Sequence, residues 1–421
     1  MGLWGQVEII RREFENMFKS IPDVVVSAPG RLDFLNTHQD YKGLPVVAVG
    51  VNLRTYVAIK RSSNVKIVVG SGNIKDESIE YIDEFFAENP ELLDKPKWFG
   101  NYIRAAVITL RMKGLRIGGA QVWIRSWIPI GSGLGSSGTL LVSIIAAFNE
   151  VFNLGLSTKD IAELAYVAEH DIMGIPCGRL DQYAAAFGNI VFIETKPPYN
   201  VDVLPTIPGF FVAVDTGIRH STAEIHPIRQ REIDEGLAKL VNIVPENVRS
   251  LLGQRYWEPR WELLNLSSIE PYFASVGERS RKRIVFTLKT HRSTMLALKV
   301  IKGVLPSVNE LADVLEVGFE EAKKIIDIGI LGVVGAVMTY QHKLLSKLYD
   351  VSLPQIDLLV EKLIEFGALG AKLSGAGLGG AVIALFKDRS TAENAVRKVL
   401  ELGLGTRGWV LEIDRGVLRH W

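Results

Sequence analysis

The 421-residue chain has one cysteine, Cys177, and seven histidines. A single thiol excludes an internal disulfide and any zinc site built on cysteines, and it suits a reducing compartment. Excess charge is missing too: 48 Lys plus Arg stand against 47 Asp plus Glu, for a net charge of +1. No basic stripe for nucleic acid follows from that balance. Long apolar runs are also absent. The most apolar stretch, "IIDIGILGVVGAVMTY", carries Asp327 and three glycines, and it falls short of the roughly 20 residues that cross a bilayer. The opening residues, "MGLWGQVEIIRREFENMFKS", interleave apolar side chains with Glu and Arg at helical spacing. That pattern predicts an amphipathic surface helix rather than a targeting signal. A soluble, cytoplasmic chain with no nucleic-acid or membrane partner is expected.

What is present is ordinary in bulk, with 48% hydrophobic and 23% charged residues. The length exceeds one ordinary core, so two domains are expected. "ETKPPYNVDVLPTIPG", residues 194 to 209, interrupts the pattern with four prolines and a closing glycine, which places the boundary between 1–198 and 199–421. Before it, "DVVVSAP", "TYVAIKR", "VKIVVG" and "AQVWIRSWIPI" read as strands with one wet face. Apolar periodicity predicts helices over Phe99–Lys113, Thr139–Phe152 and Lys159–Met173. After it come a strand, "GFFVAVDT", mostly helical material to about residue 366, and the strands "GAVIALF" and "GWVLEIDR". The class is α+β, with mixed or antiparallel sheets covered by helices.

The densest signal is "IPIGSGLGSSGTLLVS", residues 128 to 143, with four glycines and four serines between a strand-like and a helix-like run. Free N–H groups at a helix start, backed by the positive end of its dipole, make an anion site. Glycine lets the main chain approach a phosphate closely. Gly131, Ser132, Gly133, Leu134, Gly135, Ser136, Ser137 and Gly138 are therefore candidates to cradle a nucleotide. A flexible loop with a serine N-cap is the plainer reading. "GLGSSG" formally fits a dinucleotide fingerprint, but the next segment is another helix, not the required strand. No Gly-Lys-Ser/Thr follows the glycines, so the loop is not of Walker type.

Two further stretches, "SAPGRLDFLNTHQDYKG" at 27–43 and "KLSGAGLGGAVIAL" at 372–385, flank this turn in order. With "GIPCGRLDQYAAAFG", "RHS" at 219–221 and "HKLLSKLYDVSLPQIDLLV" at 342–360, the pattern resembles the GHMP small-molecule kinases over nearly the whole chain. Within them it is most similar to the galactokinase group. The resemblance implies a two-domain GHMP kinase fold and transfer of the ATP γ-phosphoryl group to a sugar hydroxyl, the anomeric one. It implies Asp181 as catalytic carboxylate and Arg31 as its arginine partner. It implies Mg2+ held by Ser137 and Glu169, and sugar contacts from Thr37, His38, Asp40, Gly178, Asp181 and His226. The second glycine loop, Ser374, Gly375, Ala376 and Gly377, would shape the phosphate end. Taken alone, Asp181 would also suit a helix start, Arg31 an exposed turn and Glu169 a solvated helix face.

The chain departs from that pattern where the sugar is read. The family's "GEHTDY" is "NTHQDY" here, so Thr37 stands for a glutamate and Gln39 for a threonine. His226, followed by Pro227, stands near a family tyrosine, and Gly135 and Gly138 stand for a serine and an alanine. Losing a carboxylate that pairs with a hydroxyl changes discrimination by roughly 10- to 1000-fold when a buried partner is stranded. Arabinose, galacturonate and N-acetylhexosamines therefore stay open beside galactose, as do a non-sugar alcohol and a non-catalytic ATP and sugar sensor. "APGRLD" is also similar to plant arabinokinase-like members. "ERSRKR", 278–283, reads as a wet helix face, and "RYWEPRW", 255–261, as aromatic packing around a proline turn. Oligomeric state is open between monomer and homodimer.

Overall fold

The computed structural model describes residues 3–77, 79–95, 98–219 and 222–421. Two compact units form: Met1–Leu32 with Val49–Val191 and Asp414–Trp421, and Asp33–Ala48 with Phe192–Ile413. The main crossover, at residues 191–192, precedes the proline-rich stretch. The segment 33–48 and the tail 414–421 cross the other way. Strand Val24–Leu35 thus starts in one unit and ends in the other.

The larger sheet runs in the order Leu418–Arg419, Val24–Leu35, Val46–Arg61, Ala120–Ser126, Lys66–Ser71 and Ile82–Phe86. Lys66–Ser71 lies parallel to Ala120–Ser126, with Val69 opposite Val122, while Ala120–Ser126 is antiparallel to Val46–Arg61. The N-terminal helix, Leu3–Phe18, buries Val7, Ile10 and Phe14 against Tyr56, Ala58 and Trp123. Their spacing puts all three on one stripe, and each side chain buried fully is worth roughly 1.5–3 kcal/mol. Helix Ser136–Phe152 lies on the sheet through Thr139, whose Oγ1 donates to the Pro29 carbonyl at 3.0 Å, and Ser143, whose Oγ donates to the Thr55 carbonyl at 3.2 Å. Both are buried within an apolar helix, so their hydroxyls fix its register on the sheet.

The second unit is built on an antiparallel sheet in the order Arg407–Leu411, Phe210–Asp215, Ala381–Phe386, Gly370–Ser374. Every residue of Ala381–Phe386 is buried, which is why this run is continuously apolar rather than alternating. Helices Thr222–Leu240, Glu278–Ile301, Ile330–Lys347, Pro354–Glu365 and Arg389–Glu401 complete the unit. "ERSRKR" is only partly a wet face. Arg283 is 1% exposed and bridges Glu232 and Asp350 at 2.6 and 2.7 Å, because its position faces helix Thr222–Leu240. In "RYWEPRW", Trp261 is buried with Ile233, Leu237 and Phe273, as expected, while Trp257 is 49% exposed.

Candidate active site

In the first unit, Gly131, Gly133 and Gly135 have φ of 70°, 74° and 74°, a conformation that only glycine adopts freely. They wind the chain into the start of helix Ser136–Phe152, whose first turn has no acidic residue and no side-chain cap. The N–H groups of Ser136, Ser137 and Gly138 have no intrahelical acceptor, so they and the helix dipole present a ready anion site. Ser132 is committed elsewhere: its hydroxyl donates to the Pro129 carbonyl at 2.7 Å and is buried. The carbonyls of Gly133 and Leu134 turn to Arg31, accepting from its guanidinium and its backbone N–H.

Arg31 donates from Nε and Nη2 to both oxygens of Asp181, at 2.7 and 2.8 Å. Asp181 sits in the first turn of helix Leu180–Phe187 but does not cap it. This planar fork fixes the carboxylate's orientation. The glycine loop closes on the pair. A Cβ on Gly135 would lie 2.9 Å from Arg31 Cγ, and one on Gly138 would lie 2.8 Å from Asp181 Cβ. The two positions where the family's serine and alanine are missing are thus those against which arginine and aspartate press. Arg179 anchors this helix start by gripping Glu163 at 2.9 and 2.7 Å.

Glu169 lies in a π-helical turn, Ala168–Ile172, and is 4% exposed. Its carboxylate accepts from Gln182 Nε2 at 2.6 Å and from the Ser137 hydroxyl. Burial raises its pKa, as does the nearby negative Asp181, against the opposing pull of Ser137, Gln182 and Arg31. A hard divalent cation fits this donor set. Ser137 and Glu169 are oxygen donors, Mg2+ takes few ligands from protein, and a cation would offset the buried carboxylate. Among the described residues no cluster of three or more His, Cys, Asp or Glu forms a metal site. Cys177, beside Glu169 and Asp181, is pushed up to about 12, first by burial, and is no nucleophile. Gly178 is exposed in the loop before Asp181.

A cavity of about 410 Å3 in the same unit is lined by Leu92, Leu93, Trp98, Tyr102, Met173 and Ile175. Tyr102 borders Glu169, whose charge adds to burial in raising its pKa. The cavity therefore adjoins the Ser137–Glu169 end of the loop. Sequence reasoning missed it, since "KWFGNY" and "MGI" carry aromatic and apolar residues that any core might hold.

In the second unit, His38 is 5% exposed and its Nε2 lies 3.0 Å from the Ala376 carbonyl. A carbonyl only accepts, so Nε2 carries the proton and Nδ1 accepts from Tyr41 Oη, 3.3 Å away. Tyr349 Oη follows at 2.5 Å from Tyr41 Oη. Burial, then His226 and Lys42, lower the His38 pKa well below 6.5, so the ring is a neutral part of this chain. Asp40 is pushed up to about 6 by burial, with Asp33 adding and Lys42 opposing. Among the described residues its carboxylate accepts from the backbone N–H groups of Tyr41 and Asp40, which leaves acceptor capacity for hydroxyls. His226 meets the His38 ring edge-on and the Tyr41 ring at a tilt, its centre 5.2 Å from each, and among the described residues its buried Nε2 has no partner.

Thr37 is 3% exposed, donates to Asp33 Oδ1 at 3.0 Å and accepts from Lys372 Nζ at 2.9 Å. In the second glycine loop, Ser374 Oγ accepts from the Asp33 N–H at 3.2 Å and the Gly375 N–H donates to Asp33 Oδ2 at 3.3 Å. Gly375 and Gly377 have φ of 86° and 94°. His220 and Ser221 of "RHS" lie outside the described residues. Sequence reasoning also missed Lys42, which is fully buried with its Nζ 3.0 Å from Thr287 Oγ1 and 4.6 Å from the Tyr349 ring centre. A lysine two residues after Asp40 looks like surface charge, and no local signal distinguishes it.

Family models match at three places: GHMP kinases N terminal domain over 101–189, GHMP kinases C terminal over 325–403, and the galactokinase galactose-binding signature over 12–61. The galactokinase of Thermococcus kodakarensis is 28% identical, the match covering 92% of this chain and 96% of that protein. The galactokinase of Pyrococcus furiosus is 27% identical over 92% and 95%. The solved galactokinase of Lactococcus lactis, complexed with galactose, superposes with a TM-score of 0.76 at 21% identity over 98% and 99% of the two chains. Mevalonate kinase of Methanococcus jannaschii superposes with a TM-score of 0.58 at 20% identity over 93% and 98%. The matches to the N- and C-terminal GHMP kinase domains identify the chain as a GHMP kinase. Within that superfamily the chain is similar to the galactokinases, whose galactose-binding signature it matches over 12–61.

Proposed function

We propose that this chain transfers the γ-phosphoryl group of ATP to the anomeric hydroxyl of a monosaccharide. The observation that carries the reading is the bidentate Arg31–Asp181 pair, pressed against the glycines of an anion-binding loop. The phosphates lie against the N–H groups of 136–138, and the base occupies the cavity beside Tyr102, which Asp94, Lys95 and Asn101 also line. Asp181 takes the proton of the attacking hydroxyl, and Arg31 orients that carboxylate and offsets phosphoryl charge. Ser137 and Glu169 would hold Mg2+, which would neutralise phosphate charge. Asp40, His38 and His226 bind the sugar. A non-catalytic sensor would have no use for a paired Asp181 together with a buried Glu169.

A cytoplasmic location suits an ATP-consuming enzyme, and among the described residues no helix is long and apolar enough to cross a membrane. The test is direct. Purified protein with Mg-ATP and galactose, arabinose, galacturonate or an N-acetylhexosamine should release ADP and a sugar 1-phosphate. A phosphate at any other carbon, or ADP release independent of sugar, would sink the assignment.

A further inference from the structure

Thr37 lies between two residues with left-handed backbone, Asn36 at φ 65° and His38 at φ 66°. That double reversal turns its side chain inward. Its hydroxyl proton goes to Asp33 Oδ1, and Lys372 Nζ donates to its oxygen and to the Asp33 carbonyl, at 2.9 and 3.1 Å. Asp33 and Lys372 are 7% and 0% exposed. The opposite charges of this Asp33–Thr37–Lys372 triad balance each other inside the fold. No carboxylate oxygen is offered to a ligand here, and the enclosed ammonium is not offered to a substrate carboxylate either. The contrast with the neighbouring positions is plain: among the described residues, Asp40 keeps open acceptors, and His226 keeps an unpartnered ring nitrogen.

We infer that Thr37 leaves this kinase indifferent to one hydroxyl of its sugar, so that it takes a hexose and the analogue lacking that hydroxyl as equal substrates. The inference rests on the sugar-kinase reading above. Where a glutamate would accept a hydroxyl proton, its loss strands a buried acceptor and costs affinity. The closed triad strands nothing, whether or not the hydroxyl is there. Asp40 and His226 still read their own hydroxyls.

The test measures kcat/KM with Mg-ATP for D-galactose, its 2-, 3-, 4- and 6-deoxy derivatives, L-arabinose and D-galacturonate. One deoxy derivative should match the parent sugar, while the others fall. In Thr37→Glu that derivative should drop against the parent by roughly 10- to 1000-fold, with the other ratios unmoved. Thr37→Gln, which adds an acceptor without charge, should shift the same ratio in the same direction and carries the test if the glutamate does not fold. Uniform penalties for all deoxy sugars, a ratio unmoved in the folded variant, or faster turnover of galacturonate than galactose would overturn the inference while leaving a sugar kinase. No turnover of any sugar would remove the sugar-kinase reading itself, and this inference with it.

Discussion

Arg31 and Asp181, 150 residues apart in sequence, meet through two parallel hydrogen bonds of 2.7 and 2.8 Å. A positioned base is worth about 10²–10⁴ in rate. Asp181→Asn should therefore lower turnover by that factor while ATP binding, followed by titration calorimetry, stays nearly unchanged. Arg31→Lys keeps the charge but loses the fork, and misplacement of the carboxylate should cost kcat about 10²-fold. Near-normal kcat in Asp181→Asn would take the residue out of the mechanism.

Restoring the family residues in the glycine loop should harm this enzyme. A Cβ on Gly138 would approach Asp181 Cβ to 2.8 Å. Gly138→Ala should lower thermal stability, because a Cβ 2.8 Å from Asp181 Cβ and 3.3 Å from its backbone carbon forces a shift that outweighs alanine's helix preference of about 1 kcal/mol, and it should lower kcat about 10-fold by displacing Asp181. Gly135→Ser must also hold φ of 74° against Arg31, a strain of about 1–2 kcal/mol. Paired melting curves and kinetics decide between a loop tuned to its own carboxylate and a loop that merely tolerates glycine.

Sugar affinity should weaken as pH falls through about 6, because Asp40 is held near that value, first by burial, and only its ionised form accepts two hydroxyls. The sign for stability is the reverse. A folded pKa above the ordinary 3.8 means that the folded state binds the proton more tightly, so this group's contribution falls as pH rises from about 4 to 6. Bound sugar should accordingly raise the melting temperature more at pH 7 than at pH 5. Asp40→Asn should flatten the KM profile.

Lys42 is the counterweight. Its amine is pushed well below the lysine range by burial, with Asp40 opposing and Arg283 adding. Thr287 Oγ1 keeps its bond to the Arg283 carbonyl at 2.9 Å without it. Lys42→Met should lower the melting temperature, because removing one partner of a buried charge pair leaves Asp40 without its counter-charge. The same change should move Asp40 higher and raise the sugar KM at neutral pH. Proton titration of Asp40 by NMR in both proteins checks the link.

At the proposed cation site, Glu169→Gln should raise the Mg2+ concentration needed for half-maximal rate without changing sugar KM. Gln182, which donates to Glu169 at 2.6 Å, is a positioning residue. Gln182→Leu should weaken the Mg2+ response about 10- to 100-fold. Mn2+ binding followed by electron spin resonance reports the site independently of turnover.

The amino-acid sequence by itself determined the glycine-rich loop, the α+β class and the motifs around Arg31, Asp181 and Glu169. Those features are local: glycines that need positive φ, apolar periodicity, and short spacings along one helix or turn. Helix Ser136–Phe152 and strand Ala381–Phe386 were legible for that reason. Only the tertiary structure decided that the chain passes between the units more than once, that Lys66–Ser71 runs parallel to its neighbour, and that Lys42, Arg283 and Lys372 are interior cations. Burial of a charge depends on partners far along the chain, such as Thr287 for Lys42 and Glu232 for Arg283. A charged residue looks the same in sequence whether water or a distant helix surrounds it, and desolvation, which sets its chemistry, exists only once that helix has packed.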